Sequence, residues 1–161
     1  MDLKNKVAVV TGGAQGLGRA FVEVLLKQGS NVISLLVAFI DVNEPLGKEL
    51  KATLAEEYGP GRVEFYAADV SSKEEFIGAF KKIVDRFGHI DIMYNNAAVV
   101  NENDWEKTIA INMTGLVRGT YLALQYMKDN PDGKGAIINI SSTAGLELNT
   151  LKKSINNFFF L

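Results

Sequence analysis

Five short apolar runs, each closing on small or polar residues and four of them followed by a helical segment, constrain the fold most. Val7 to Val10 runs into Thr11-Gly12-Gly13. Val32 to Ile40 ends at Asp41, Val63 to Ala67 at Asp69-Val70, Ile90 to Tyr94 at Asn95-Asn96, and Ala136 to Ile140 at Ser141-Ser142. Between them, apolar residues recur at helical spacing over Gly16–Lys27, Pro45–Tyr58, Ser72–Phe87 and Asp104–Met127. Gly29 reads as the stop of the first helix. Ser72 with Glu75 three residues on reads as a capping box. The turn Pro131-Asp132-Gly133 precedes the last strand. Strands alternating with helices of this length imply an α/β fold: a doubly wound parallel sheet of five strands joined by helices on both faces. With 161 residues there is room for about one domain.

In such sheets ligands sit at the carboxyl ends of the strands, where the unusual residues of this chain gather: Gly12 to Gly18, Asp41, Asp69, Asn96 and Ser142. The segment Thr11-Gly12-Gly13-Ala14-Gln15-Gly16-Leu17-Gly18 lies between the first strand and the first helix. Glycines there allow a tight turn and let backbone N–H groups approach a phosphate at the helix N-terminus. An ordinary glycine-rich loop is the plainer alternative. The strand–loop–helix context favours nucleotide binding.

Composition narrows the rest. Lys+Arg 17 against Asp+Glu 19 gives a net charge of −2, which offers no electrostatic footprint for nucleic acid or an anionic membrane. Cysteine is absent and histidine occurs once, so neither thiolate chemistry nor a zinc site is expected, and the metal expectation is none. No apolar run approaches the ~20 residues of a spanning helix, and the N-terminus does not read as a signal peptide. The expected location is therefore cytoplasmic. His89 reads as a surface loop residue, and Trp105 as packing the start of the long helix.

The spacing T-G-x-x-x-G-x-G, followed in order by Asp69-Val70, Asn95-Asn96-Ala97-Ala98, Asn112 within Ile109-Ala110-Ile111-Asn112, and Ile138 to Gly145, resembles the short-chain dehydrogenase/reductase family. The NAD-dependent 15-hydroxyprostaglandin dehydrogenases are the subfamily that Gln15–Phe21, Asn103–Thr108 and Gly119–Leu122 bring to mind by similarity. The resemblance implies a Rossmann-like NAD(P)-binding domain over 1–146, lacking the C-terminal part of the usual sheet, and an unrelated tail over 147–161. It implies that Gly12, Gln15, Gly16, Leu17 and Gly18 cradle the pyrophosphate. Asp41 would accept hydrogen bonds from the adenosine ribose and favour NAD over NADP, because a carboxylate repels a 2′-phosphate. Asp69 and Val70 would border the adenine, and Asn96 and Ala97 would line the cofactor floor. Ser142 would bind the substrate oxygen and Asn112 would position a proton-relay water. Read from the residues alone, the alternatives are that Asn112 caps or kinks its helix, that Ser142 caps its strand end and that Asp41 is a solvated strand-end acid.

Three departures from the family pattern bear on function. Ala98 stands where the family has glycine. About five extra apolar residues separate Gly29 from Asp41, so the second strand either bulges or starts late. The family's Tyr-x-x-x-Lys pair, counted from Ser142, falls on Ile155 and Phe159, and no tyrosine follows Tyr126. That pair supplies the general acid/base and the cation that lowers its pKa. Two readings follow. One is an NAD-dependent oxidoreductase acting on a secondary alcohol such as a hydroxy-lipid, with little turnover by these 161 residues. The other is a non-catalytic, NAD-binding fragment or pseudoenzyme that binds nucleotide or a partner chain, with a family-type homodimer doubtful. A methyltransferase is a distant third.

Overall fold

The computed structural model describes residues 3–30, 35–101, 103–130 and 134–142. Its elements run β1 (Val7–Thr11), α1 (Gly16–Ser30), β2 (Leu36–Asp41), α2 (Glu44–Tyr58), β3 (Val63–Ala67), α3 (Lys73–Phe87), β4 (Ile92–Asn95), α4 (Trp105–Ile109), a π-helical turn (Ala110–Gly115), α5 (Leu116–Met127) and β5 (Ala136–Asn139). All pairings are parallel and the strand order is β3-β2-β1-β4-β5. The order reverses direction at β1, between β2 and β4. That is the doubly wound topology expected, with its switch point beside the glycine-rich loop.

The two faces of the sheet follow from the period of two along each strand. Ala8, Val10, Val37 and Phe39 point to one side and pack with Val22, Leu25 and Leu26 of α1 and Leu50 and Leu54 of α2. Val9, Ala38, Ile40 and Met93 point to the other and pack with Phe76, Phe80 and Ile83 of α3 and Leu122, Ala123 and Met127 of α5. Strands buried on both faces read as continuous apolar runs, as β1 and β2 do. Phe39, Phe76 and Phe80 are fully buried, each stabilising the fold by about 1.5–3 kcal/mol.

Several element boundaries differ from the sequence expectation. The second strand starts late, at Leu36, so the extra residues precede the ladder rather than bulging it. Residues 31–34, where the early start had been expected, lie outside the described residues. On either side of them, the Arg62 guanidinium donates from Nη2 to the carbonyl oxygens of Leu26 and Leu35, both at 3.2 Å. Asp41 thereby keeps its place at the strand end, in register with Ala67. Helix α1 continues through Gly29 to Ser30 instead of stopping at the glycine. The fourth strand spans Ile92–Asn95 rather than Ile90–Tyr94.

The long fourth helix is interrupted by the π-helical turn, a one-residue slip that 3.6-residue periodicity does not reveal. The capping box forms only by half. Ser72 Oγ accepts the Glu75 N–H at 3.3 Å, but the Glu75 carboxylate accepts the Asp69 N–H at 3.0 Å instead of closing on Ser72. Trp105 is half exposed at the start of α4 rather than packed. The turn 131–133, residues 144 and 145, the tail 147–161 and positions 155 and 159 lie outside the described residues, as does any boundary at 146.

At the amino ends of the strands a buried carboxylate joins three of them. Asp91 accepts from Lys6 Nζ at 3.0 Å, from the Val7 N–H at 2.8 Å and from His89 Nε2 at 3.0 Å. Its own backbone bonds Val7 O and the Ala136 N–H. His89 also contacts Asn5 O at 3.2 Å, so it ties the N-terminal segment down. Replacing Asp91 by alanine strips a half-buried ammonium of one acceptor and the buried Val7 amide of its acceptor. Asp91→Ala is expected to lower unfolding free energy by about 3 kcal/mol, read from the shift of the urea midpoint.

Candidate functional site

The glycine-rich loop is shaped by sterics. Gly12 and Gly16 have φ of +65° and +56°, a region that L side chains rarely adopt. A Cβ on Gly12 would lie 2.9 Å from Ala97 Cα, and one on Gly18 would overlap the Gly12 carbonyl oxygen. The loop and the start of β4's following segment thus approach backbone to backbone, closer than any side chain permits. Gly16 has open space around it and opens α1, whose first turn holds no acidic residue. A helix N-terminus without an acid in its first turn favours an anion there.

Hydrogen bonds then lace this loop to its neighbours. Thr11 Oγ1 accepts the N–H groups of Asn96 at 3.0 Å and Ala97 at 3.1 Å, and donates to Tyr94 O at 3.3 Å. The Asn96 amide donates back to Thr11 O at 2.9 Å and Gly12 O at 3.3 Å. From the other flank, Asp41 Oδ2 accepts the Ala14 N–H at 3.0 Å while Oδ1 accepts the Asn43 N–H at 3.0 Å. Each carboxylate oxygen retains a second lone pair, and Asp41 remains partly exposed.

A cleft of about 370 Å³ opens at the carboxyl ends of β1, β2, β3 and β4. It brings together Gly12, Gln15, Gly16, Leu17, Gly18, Asp41, Asp69, Val70, Asn96 and Ala97, all ten residues expected along a dinucleotide. Ile40, Val42, Ala68, Ala98, Val99 and Ile111 complete its walls. Ala98, where the family has glycine, takes no positive φ, so its methyl brings no backbone strain. The residues present fit a dinucleotide. The cradle is one a Cβ would fill, and a partly exposed carboxylate stands at the end of β2.

The residues expected to act on substrate are placed differently. Asn112 sits in the π-helical turn, and its side chain is committed to one peptide unit. Oδ1 accepts the Val99 N–H and Nδ2 donates to Val99 O, both at 2.9 Å. The side chain therefore fixes a cleft wall, a role that spacing alone did not indicate. Ser142 lies past the end of β5, two residues beyond Ile140, whose N–H bonds Asn95 O at 3.0 Å. Neither Asn112 nor Ser142 lines the cleft itself.

Asn95, which sequence reasoning passed over, is buried and donates from Nδ2 to Thr120 Oγ1 at 3.1 Å and to Asn139 Oδ1 at 2.9 Å. It joins β4 to α5 and β5, and its doubled neighbour Asn96 was the available signal. No tyrosine lines the cleft among the described residues. Tyr66 faces a second cleft against α2 and α3, and burial pushes its phenol up to about 12, far from acid–base duty at neutral pH. Among the described residues no group of three or more His, Asp or Glu side chains could hold a metal ion. Nor is any helix among them long and apolar enough to cross a membrane.

A parallel doubly wound sheet with a T-G-x-x-x-G-x-G loop at its switch point and an acid at the end of β2 defines a dinucleotide-type α/β fold. The short chain dehydrogenase family profile matches residues 6–153, and the chain belongs to that family. The match runs past residue 146, where the sequence pattern had suggested that the resemblance fades. Curated relatives include the 15-hydroxyprostaglandin dehydrogenase (NAD(+)) of Bos taurus, 47% identical over 147 residues covering 91% of this chain and 53% of the relative. The Homo sapiens protein of the same name is 46% identical over the same coverage. The 3beta-hydroxysteroid dehydrogenase 2 of Eggerthella lenta is 32% identical over 153 residues, 89% of this chain and 56% of that protein. A solved structure assigned to the short-chain dehydrogenases, from Novosphingobium aromaticivorans, superposes with a TM-score of 0.83 at 29% identity, covering 97% of this chain and 58% of the other. The chain spans about half the length of the curated relatives it matches.

The lacing of the loop gives a direct test. Thr11→Val keeps the shape but leaves two amides without an acceptor. It is expected to cost about 2 kcal/mol in urea unfolding, whereas Thr11→Ser stays close to the parent.

Proposed function

We propose that the cleft binds NAD and that the chain is the cofactor-holding part of an NAD-dependent alcohol dehydrogenase. The observation that carries this reading is Asp41. One of its carboxylate oxygens holds the glycine-rich loop through Ala14, each oxygen accepts one bond of the two it can take, and Asp41 lines the cleft. A ribose diol presents two hydroxyl donors, and a carboxylate receives both. A 2′-phosphate at the same place would meet like charge, so NAD is favoured over NADP. Gly12, Gln15, Gly16, Leu17 and Gly18 would hold the pyrophosphate at the N-terminus of α1. Asp69 and Val70 would border the adenine, and Asn96 and Ala97 would support the floor.

When bound, the nicotinamide supplies hydride exchange with a carbinol carbon, and the protein's part is orientation and proton handling. Ser142, past the carboxyl end of β5, is the residue here that would hydrogen-bond the substrate oxygen. Asn112 would act by fixing Val99 rather than through a free side chain. By likeness to the relatives, the substrate class is a secondary alcohol of the 15-hydroxyprostaglandin kind. The 161 residues contain no Tyr-x-x-x-Lys pair, so this chain by itself is proposed to bind dinucleotide with little turnover. A missing general acid/base lowers rates by about 10²–10⁴-fold. The reading of a nucleotide-binding chain without catalysis rests on that same fact.

NADH fluorescence titration checks the binding. Saturable binding is expected, with NADPH weaker, and Asp41→Ala should weaken NADH about tenfold, or ~1.4 kcal/mol, while narrowing the preference over NADPH. No saturation at millimolar NADH would remove the dinucleotide reading. Incubation with NAD and 15-hydroxyprostaglandins should form little NADH, and a family-like rate would show that another group supplies the acid–base function.

A further inference from the structure

The cleft wall formed by Asp69 and Val70 is a corner between β3 and α3. Nothing in the local sequence fixes its position relative to the glycine-rich loop. The Ala68 N–H, just before it, donates to Asp41 O at 3.1 Å and ties the end of β3 to β2, and α5 holds the residues that follow. Arg118, half-buried, donates from Nη1 to Val70 O at 2.7 Å and to Ser71 O at 3.1 Å. One turn earlier, Gly115 at the end of the π-helical turn presses against the same residue, and a Cβ there would lie 2.8 Å from Val70 Cγ2. The corner is also braced from within. The Asp69 N–H donates to Glu75 at 3.0 Å, and Asp69 Oδ1 accepts the Ser71 N–H at 2.8 Å and the Ser71 hydroxyl at 2.7 Å. Those bonds shape the corner, Val70 packs into the core beneath it, and Arg118 and Gly115 seat it against α5.

We propose that Arg118 is a positioning residue for the adenine end of the dinucleotide cleft, holding the Val70–Ser71 carbonyls so that Val70 and Asp69 stand at the distance an adenine fills. This rests on the dinucleotide reading of the same cleft. The guanidinium suits the task because one nitrogen carries two hydrogens, enough to bridge successive carbonyls. Charge-assisted bonds are about twice as strong as neutral ones, so the seat is firm. Arg118 does not itself line the cleft; it reaches it through Val70, which does. Its effect must therefore be read in the ligand half that meets the corner.

The experiment compares ADP-ribose, reduced nicotinamide mononucleotide and NADH by titration on the full chain, with Arg118→Met, which keeps the aliphatic stem and removes the donors. ADP-ribose and NADH are expected to weaken by the same factor, about tenfold, with reduced nicotinamide mononucleotide unchanged. Arg118→Lys, still a donor to carbonyls, should recover most of the loss. Equal ADP-ribose affinity in parent and Arg118→Met overturns the proposal, and so does equal weakening of both half-ligands, which marks a structural role only. If Arg118→Met does not fold, Gly115→Ala reaches the corner from the same helix by displacing Val70. Selective weakening of ADP-ribose supports the proposal, and unchanged affinity overturns it. Parent protein that binds neither NADH nor ADP-ribose overturns the dinucleotide reading together with this one. Parent protein that binds both, with Arg118→Met indistinguishable from it, overturns this one alone.

Discussion

The site depends on a backbone approach that no side chain could allow. The loop after β1 passes so close to the segment after β4 that Gly12 faces Ala97 Cα, and Gly18 packs on the Gly12 carbonyl. Overlap at such distances cannot be relaxed by a rotamer change, because the partners are backbone atoms. Glycine at these two positions is therefore a condition for the loop to close, and closure presents the N-terminus of α1 to the cleft. Thr11 and Asn96 convert the approach into a fixed geometry, satisfying four backbone groups that would otherwise be stranded in a poorly hydrated crevice.

From that fixed loop the remaining walls are set by elements distant in sequence. Asp41 reaches the loop at Ala14 from β2, Asn112 braces Val99 from the π-helical turn, and Arg118 seats Val70 from α5. Each is a polar group that ties one cleft wall to a different element of the fold. The opposite end of the sheet has its own anchor in Asp91, which gathers β1, β4 and β5 at their amino ends. The sheet is thus tied by polar groups at both ends, with the cleft at the carboxyl end.

Much of this was legible in the residues. The alternation of apolar runs and helical periods implied the parallel sheet, because strands buried on both faces are apolar throughout. The positions of Gly12 to Gly18, Asp41, Asp69 and Asn96 at strand ends put them on one edge, since every strand of such a sheet points the same way. What local pattern missed were events of one residue or of long range. The π-helical turn inserts a single residue into a helical period. The start of β2 at Leu36 follows its pairing with Val7, and Arg62 bonds carbonyls on either side of residues 31–34, both long-range events. Glu75 was available for a capping box, yet a nearby backbone amide, that of Asp69, engaged it.

The sequence by itself determined the class of fold, the edge on which a ligand would sit and the residues of that edge, because period, glycine placement and strand-end chemistry are local properties. The tertiary structure decided which of those residues face the cleft with free lone pairs and which spend their hydrogen bonds holding it. Asp41 does both, Asn96 laces the loop, Asn112 is committed to Val99, and Arg118 enters only through contact with a corner 47 and 48 positions earlier in the chain. Hydrogen-bond partners across such separations follow from how helices seat on the sheet, which no run of neighbouring residues encodes.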